Sequence, residues 1–174
     1  MIIEDNEYII YCISDDNAYK IGYTNNAMQR LSMLQIGNPR ELKYVFKYQI
    51  ENIILAKRIE KACHVKYKKY NIRGEWFDNI NIDELFNYII SIHKELLKYN
   101  DYITNDRFDV LENDDDIIFS MKFLIDVMRT SKLSNPKEIS EYFIKYNITD
   151  WSERTIISCL DTITLKKNLE NWSY

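Results

Sequence analysis

The 174-residue sequence is poor in glycine, proline and histidine, with three, two and two residues of these types. So little glycine and proline excludes collagen-like and proline-rich disordered chains. The three cysteines, Cys12, Cys63 and Cys159, are odd in number, and no two lie at the spacing of a zinc motif. This argues against a disulfide framework and against a zinc site, and we expect a protein of a reducing compartment.

Long apolar runs are also absent. No run approaches the roughly 20 residues that a membrane-crossing helix needs. Residues 1–7 contain acids but no lysine or arginine, unlike a signal or transit peptide. We therefore expect no membrane partner, and an intracellular or cytoplasmic location.

Charge is unevenly distributed, although the net charge is only −4. Residues 57–73 include seven basic side chains and one acid, whereas residues 101–116 include seven acids and one base. The basic segment can meet phosphates and the acidic one cannot. The acidic stretch also lacks hydrophobic periodicity. We therefore predict a linker over 100–115, between a first unit at 1–99 and a second at 116–174.

The first unit mixes strand and helix patterns. The predicted elements, in chain order, are strands over 7–13, 18–23 and 41–50, helices over about 25–35, 53–70 and 82–99, and a short extended segment over 71–78. The first helix is expected to be capped by Thr24 or Asn25, with Met28, Leu31 and Leu34 facing inward. These elements predict an α+β fold, in which helices flank a three-stranded antiparallel sheet.

The second unit reads as all helix. Apolar residues recur at helical spacing over 117–130 and again after Pro136, a residue that favours a helix start. A third helix is expected after Asp150 or Ser152. Two short helices after a leading one fit a helix-turn-helix pattern. Because 131–174 has six bases and six acids, a helical bundle that packs on the first unit or on a partner protein is an equal alternative.

Basic residues share one face of the predicted helix over 53–70. At 100° per residue, Lys57, Lys61, His64 and Lys68 fall within about 60° of one another. The face is either a solvated charged surface with an incidental histidine or a stripe that faces phosphates.

Three further polar residues surround the predicted hairpin. Tyr11 and Lys20 lie on its two neighbouring strands, and Arg30 follows in the next helix. Gly22 ends the second strand and permits close backbone approach. A tyrosine that relays a proton and cations that stabilise phosphate charge are parts of a phosphodiester site.

The segment 73–77 presents a carboxylate on a sharp turn. Gly74 permits the turn, while Trp76 and Phe77 can anchor the segment in the core. Glu75 would then be held rigidly, which suits a Mg²⁺ that keeps most of its waters. The alternative is a surface glutamate in a loop.

These residues occur in a recognisable order. The motifs are Tyr11-Cys12-Ile13, Tyr19-Lys20-Ile21-Gly22, Gln29-Arg30-Leu31, Ile59-Glu60-Lys61-Ala62-Cys63-His64 and Arg73-Gly74-Glu75-Trp76-Phe77. Together they resemble the GIY-YIG nuclease superfamily over about residues 7–80, and in particular its phage- and virus-associated branch. The resemblance implies a Mg²⁺-dependent DNA endonuclease, with Mn²⁺ as a possible substitute, in a bacterial, phage-infected or virus-infected cell.

The resemblance also implies a role for each motif residue. It assigns the general base to Tyr11, positioning or deprotonation of the water to Lys20, phosphate stabilisation to Arg30, a proton relay or orienting role to His64, metal binding to Glu75, and structural roles to Gly22 and Gly74. The first motif lacks its glycine, and the second has Lys20 in place of a tyrosine. The leading hypothesis is thus an endonuclease in which a water molecule attacks a DNA phosphate in line with the leaving oxygen.

Two other functions remain open. The first is a catalytically inactive DNA-binding or regulatory protein that retains the fold, and the second is a protein-interaction module. For the endonuclease and for the inactive DNA-binding protein alike, the candidate DNA contacts are Lys57, Lys61, Lys68 and Arg73. The C-terminal helices are the candidate surface for a homodimer or a protein partner.

Overall fold

The structure is a computed structural model, and it describes residues 7–103, 114–149 and 151–161. It confirms the α+β class. The chain divides into two compact units, Met1–Glu95 and Leu96–Tyr174. Of the predicted linker, residues 104–113 lie outside the described part, and Asn100–Ile103 forms a short helix.

The strands are β1 (Tyr8–Ser14), β2 (Tyr19–Thr24), β3 (Lys43–Ile50), β4 (Asn71–Arg73) and β5 (Trp76–Phe77). The helices are α1 (Ala27–Ile36), α2 (Ile53–Lys66), α3 (Ile82–Leu97), α4 (Asn100–Ile103), α5 (Asp114–Ser131) and α6 (Pro136–Tyr146), and residues 153–161 are also helical. A 3₁₀ turn, Lys68–Tyr70, follows α2.

The sheet has five antiparallel strands in the order β3-β1-β2-β5-β4. The prediction of three strands was therefore wrong in number. The short segment after α2 folds back at Gly74 (φ +56°) into a β4–β5 hairpin. Its second strand then pairs with β2, Tyr19 opposite Phe77 and Lys20 opposite Trp76.

Helices cover both faces of the sheet. On one face, Leu31 and Leu34 of α1 pack against a buried cluster that contains Tyr11. On the other, α2 contacts β1 and β2, and α3 places Phe86 with its ring centroid 5.1 Å from that of Phe46 on β3. Tyr11 thus lies beneath α1, on the face opposite α2.

Two details of the predicted helices require correction. The cap of α1 is Asn26, whose side chain accepts from the Gln29 N–H. Met28 is 82% exposed, because the helix turns Leu31 and Leu34 to the sheet instead.

The second correction concerns the length of α2. It ends at Lys66, and Tyr70 bonds three residues back to Tyr67 as the chain tightens into the 3₁₀ turn. Lys68 therefore leaves the helical face on which the sequence placed it.

The second unit has an aromatic core. Phe123 stacks on Phe143 at 5.5 Å and meets Trp151 edge-on at 5.8 Å. The predicted helix start at Pro136 is confirmed, with Asn135 as its cap. Asp150 lies outside the described residues, and the Ser152 hydroxyl accepts from the Thr155 N–H at the start of the next helix.

Two global expectations concern membranes and cysteines. No helix among the described residues is both long and apolar enough to cross a bilayer. The cysteines are free: Cys12 and Cys63 are buried, and Cys159 is half-buried.

Candidate functional site

The centre of the site is a tyrosine lying over a glycine. Tyr11 and Gly22 are direct partners in the β1–β2 ladder, so both project to the same face of the sheet. A Cβ added at Gly22 would lie 2.5 Å from the Tyr11 hydroxyl oxygen and 2.7 Å from its Cζ. Only a glycine therefore leaves room for the phenol in this position. Tyr44 contacts the same ring edge-on, with the centroids 5.8 Å apart.

Beside this tyrosine lies an ion pair between Lys20 and Glu75. The Lys20 side chain is 9% exposed and that of Glu75 is 46% exposed. An ammonium group is buried at such a cost that it needs a charged partner. The carboxylate satisfies the lysine and still has an open side toward solvent.

Glu75 owes its position to the β4–β5 hairpin. It directly follows Gly74, whose positive φ is a conformation that side-chain-bearing residues seldom adopt. The Asn71 side chain donates to the Gly74 carbonyl at 2.6 Å. The Glu75 carbonyl accepts from the Ile21 N–H of β2 at 3.3 Å. The turn is thus tied to the sheet on both sides of the carboxylate.

Electrostatic coupling links these groups to two more. Burial raises the pKa of the Tyr11 phenol well above its usual range; the positive charge of Arg30 lowers it, and Glu75 and Glu60 raise it further. Burial, with the charge of Glu75, raises the pKa of Glu60 from 4.5 to about 7, against the opposing effects of Lys20 and Arg30. The sequence-predicted Tyr11, Lys20, Arg30 and Glu75 are therefore brought together.

Glu60 and His64 lie one turn apart on α2, and both reach the edge of β2. The His64 Nε2 is 3.0 Å from the Ile21 carbonyl. Because a carbonyl only accepts, this nitrogen carries the hydrogen. The Tyr23 N–H donates to the Glu60 carboxylate. His64 is half-buried, with its ring 5.4 Å from that of Phe77, and so departs from the solvated stripe that helical spacing suggested.

The four candidate DNA-contacting cations are exposed. Lys57 and Lys61 project from α2, Lys68 lies in the 3₁₀ turn, and Arg73 ends β4. These cations therefore lie on three successive elements of the chain and not on one face of a single helix.

A second polar network lies elsewhere in the first unit, and sequence reasoning missed it. His93 of α3 is buried; its Nδ1 is 2.9 Å from the Tyr48 hydroxyl, and its Nε2 is 2.7 Å from a Glu51 oxygen. No periodicity distinguishes this histidine from an ordinary core residue of an amphipathic helix.

Glu75 is the candidate carboxylate for a divalent cation, which would be bound there mainly by water. Within residues 7–103, 114–149 and 151–161, no three or more His, Cys, Asp or Glu side chains form a metal-binding group. The open side of the Glu75 carboxylate is the kind of single oxygen ligand with which Mg²⁺ combines several waters.

Comparison with known proteins identifies the part of the chain that holds this cluster. Residues 7–96 match the T5orf172 domain, a phage-associated domain found in nuclease contexts and associated with nuclease and DNA-binding function. No curated protein and no solved structure matches the chain. Because the match covers more than half of the sequence, including Tyr11, Lys20, Arg30 and Glu75, the chain belongs to the T5orf172 domain family.

Proposed function

We propose that this protein is a metal-dependent endonuclease that hydrolyses DNA phosphodiester bonds. The observation that carries the proposal is the convergence of Tyr11, the Lys20–Glu75 pair and Arg30 around one pairing of β1 with β2. Tyr11 and Lys20 are buried; a buried ionisable group costs folding free energy, and perturbed ionisable groups that lie close together concentrate at functional sites. The cluster lies in a domain associated with nucleases and DNA binding.

In the proposed step, a water oxygen forms a bond to phosphorus as the bond from phosphorus to the leaving oxygen breaks. The proton of the attacking water passes to the Tyr11 oxygen, and the leaving oxygen takes a proton from solvent. Tyr11 accepts this proton only as phenolate, and its pKa lies well above the usual range. The cleavage rate is therefore expected to rise steadily with pH from about 7 to 9, up to tenfold per pH unit.

Charge on the phosphate is the second requirement. Arg30 and Lys20 would stabilise the negative charge that develops on the equatorial phosphate oxygens. Glu75 would hold the Mg²⁺, with Mn²⁺ as a substitute. When bound there, the ion supplies Lewis-acid polarisation of the phosphate and lowers the pKa of its waters.

The same proposal assigns DNA contact to the exposed cations of α2 and the segment after it. Lys57, Lys61, Lys68 and Arg73 would neutralise backbone phosphates on either side of the cut.

The test is nicking of supercoiled plasmid DNA by the full chain with Mg²⁺, Mn²⁺ or EDTA. We expect metal-dependent nicking by the wild type and a loss of about 100-fold or more in Glu75→Gln. Glu41→Gln is the matched control, because Glu41 is an exposed glutamate that pairs only with Lys43 among the described residues.

Two outcomes would overturn the proposal. Nicking that persists in EDTA would exclude the metal-dependent reaction. Salt-sensitive DNA binding without nicking, on plasmid and on a mixed-sequence DNA library, would instead indicate the inactive DNA-binding protein.

A further inference from the structure

The edge of β2 is only partly covered by its neighbouring strand. On this side, β5 supplies two residues, which pair with Tyr19 and Lys20. One more bond joins the Ile21 N–H to the Glu75 carbonyl. Beyond that bond, the Ile21 carbonyl and the Tyr23 N–H point away from β1 and have no partner in the five described strands. Unpaired backbone groups at a buried edge carry a free-energy penalty, so their partners matter.

Side chains of α2 take the place of the missing strand. His64 donates to the Ile21 carbonyl, and Glu60 accepts from the Tyr23 N–H. The order fits: the Ile21 carbonyl and the Tyr23 N–H are consecutive outward groups on this edge of β2, and positions 60 and 64 lie about one turn apart on one face of α2. A donor and an acceptor at i+4 and i therefore match two outward backbone groups at once, with the helix and strand side by side.

The residue between these two anchored groups is Gly22. Its Cα supports the Tyr11 phenol, at a spacing that excludes even a methyl group. Immediately before them lies Lys20, the partner of Glu75. A shift of β2 by a fraction of an ångström at this edge would displace both the support of the phenol and the anchor of the ion pair. Catalytic rate depends on the positions of reacting groups at this scale, so such a displacement would slow the proposed reaction.

We propose that Glu60 and His64 are positioning residues that clamp the free edge of β2, and that this clamp fixes the Gly22–Tyr11 contact for hydrolysis. The effect of the clamp on the cleavage rate rests on the proposed function. The two hydrogen bonds to β2 do not depend on that function. The clamp gives His64 a positioning role in place of a proton relay.

The clamp requires an acceptor at position 60 and a donor at position 64, and not a charge or a transferable proton at either. Glu60→Gln keeps an acceptor oxygen, and Glu60→Ala removes it. His64→Gln places an amide nitrogen near the position of Nε2, and His64→Leu removes the donor. These two pairs separate a clamp from a proton carrier.

The first readout does not depend on activity. In an amide-resolved NMR spectrum, the Tyr23 N–H is expected to be protected from hydrogen exchange in the wild type and in Glu60→Gln. In Glu60→Ala, the protection should fall by at least about tenfold while amides of β3 stay unchanged. Equal protection of Tyr23 in Glu60→Ala and the wild type would overturn the clamp, whatever the nuclease assay shows.

The second readout is single-turnover DNA cleavage, measured below the melting temperature of each variant. Glu60→Ala and His64→Leu are expected to lose about 10- to 100-fold in the maximal cleavage rate constant, with little change in the DNA concentration that gives half of that rate, since both variants keep the exposed Lys57 and Lys61. Glu60→Gln and His64→Gln should recover most of that loss. A Glu60→Gln variant as slow as Glu60→Ala would contradict positioning and indicate a proton carrier. If neither the wild type nor any variant cleaves DNA, the proposed function fails. The hydrogen-exchange result then still shows whether the clamp exists.

Discussion

The two units of the chain bury different kinds of side chain. The first encloses charged and titratable groups: Lys20 of β2, Asp15 in the turn after β1 and His93 of α3 are buried, and Glu60 of α2 is half-buried. In the described part of the second unit, the buried polar residues are the uncharged Ser120, Ser140 and Thr149, among a cluster of aromatic rings. Both cores contain aromatic rings, but among the described residues only the first also buries charged side chains.

This difference separates function from stability. Charged groups inside a protein weaken the fold unless they are paired, whereas buried aromatic rings strengthen it. Every member of the cluster around Tyr11 comes from the first unit, where the proposed function would use these charges. The second unit is organised for packing, and its helix-turn-helix interpretation remains a prediction.

The largest stability effect is expected in the second unit. Phe123 is fully buried and contacts Phe143 and Trp151, so Phe123→Ala should lower the free energy of unfolding by about 3–5 kcal/mol. Chemical denaturation measures this. The exposed Ile144→Ala is the control, expected within about 0.5 kcal/mol. Equal effects of the two variants would show that the aromatic cluster does not stabilise the unit.

In the first unit, removing a charge should stabilise the fold. The pKa of Glu60 is about 7 in the folded protein, against the ordinary glutamate value of 4.5, so the folded state keeps a proton that the unfolded state releases. The wild-type free energy of unfolding should therefore fall as pH rises from about 4.5 to 7, by up to about 2 kcal/mol from this group, because its partial exposure to solvent weakens the effect.

Glu60→Gln lacks this penalty. Its stability advantage over the wild type should grow across that window and be constant above it, as thermal melts at pH 4.5, 6 and 8 would show. Glu41→Gln, at an exposed glutamate, is the control variant for the same three melts. A constant difference at all three pH values would contradict the raised pKa of Glu60.

Gly22→Ala tests the contact at the centre of the site. The added methyl group would displace the Tyr11 ring, so we expect a stability loss of about 1–3 kcal/mol together with slower cleavage. Gly37→Ala is a matched control, since a Cβ there meets nothing within 4 Å. Wild-type stability and cleavage in Gly22→Ala would mean that the close approach is unimportant.

The smallest effect concerns DNA contact. Lys57→Gln should leave kcat unchanged and reduce the slope of log affinity against log salt by about 0.9, the contribution of one phosphate contact. Fluorescence anisotropy at several salt concentrations measures the slope. Lys94→Gln, on the exposed surface of α3, should keep the wild-type slope. Identical slopes for the two variants would remove Lys57 from the DNA-binding surface.

Local pattern predicted much of the first unit. The alternation of β1 and β2 was enough to put Tyr11 and Lys20 on neighbouring strands, and Gly22 was expected where the backbone must approach closely. Glu75 on a glycine turn also followed from residue types. These features depend on nearest neighbours along the chain or across one hairpin.

Long-range geometry explains what the sequence could not predict. The pairing of Trp76 with Lys20 joins residues far apart in the chain and makes a five-stranded sheet from a predicted three. The role of Glu60 depends on how few residues β5 contributes to the edge of β2. Its only sequence signal was an acid one helical turn before His64, and such pairs are common on solvated helices.

The most direct measurement of the central claim removes one oxygen atom. Tyr11→Phe keeps the buried ring over Gly22 and deletes the hydroxyl that is proposed to accept the proton. Tyr8→Phe, on the same strand but facing the opposite side of the sheet, is its control. In single-turnover cleavage of duplex DNA with Mg²⁺, we predict a loss of about 10³-fold for Tyr11→Phe and none for Tyr8→Phe, with both proteins folded. Cleavage by Tyr11→Phe at the wild-type rate would contradict the assignment of this site as the catalytic centre.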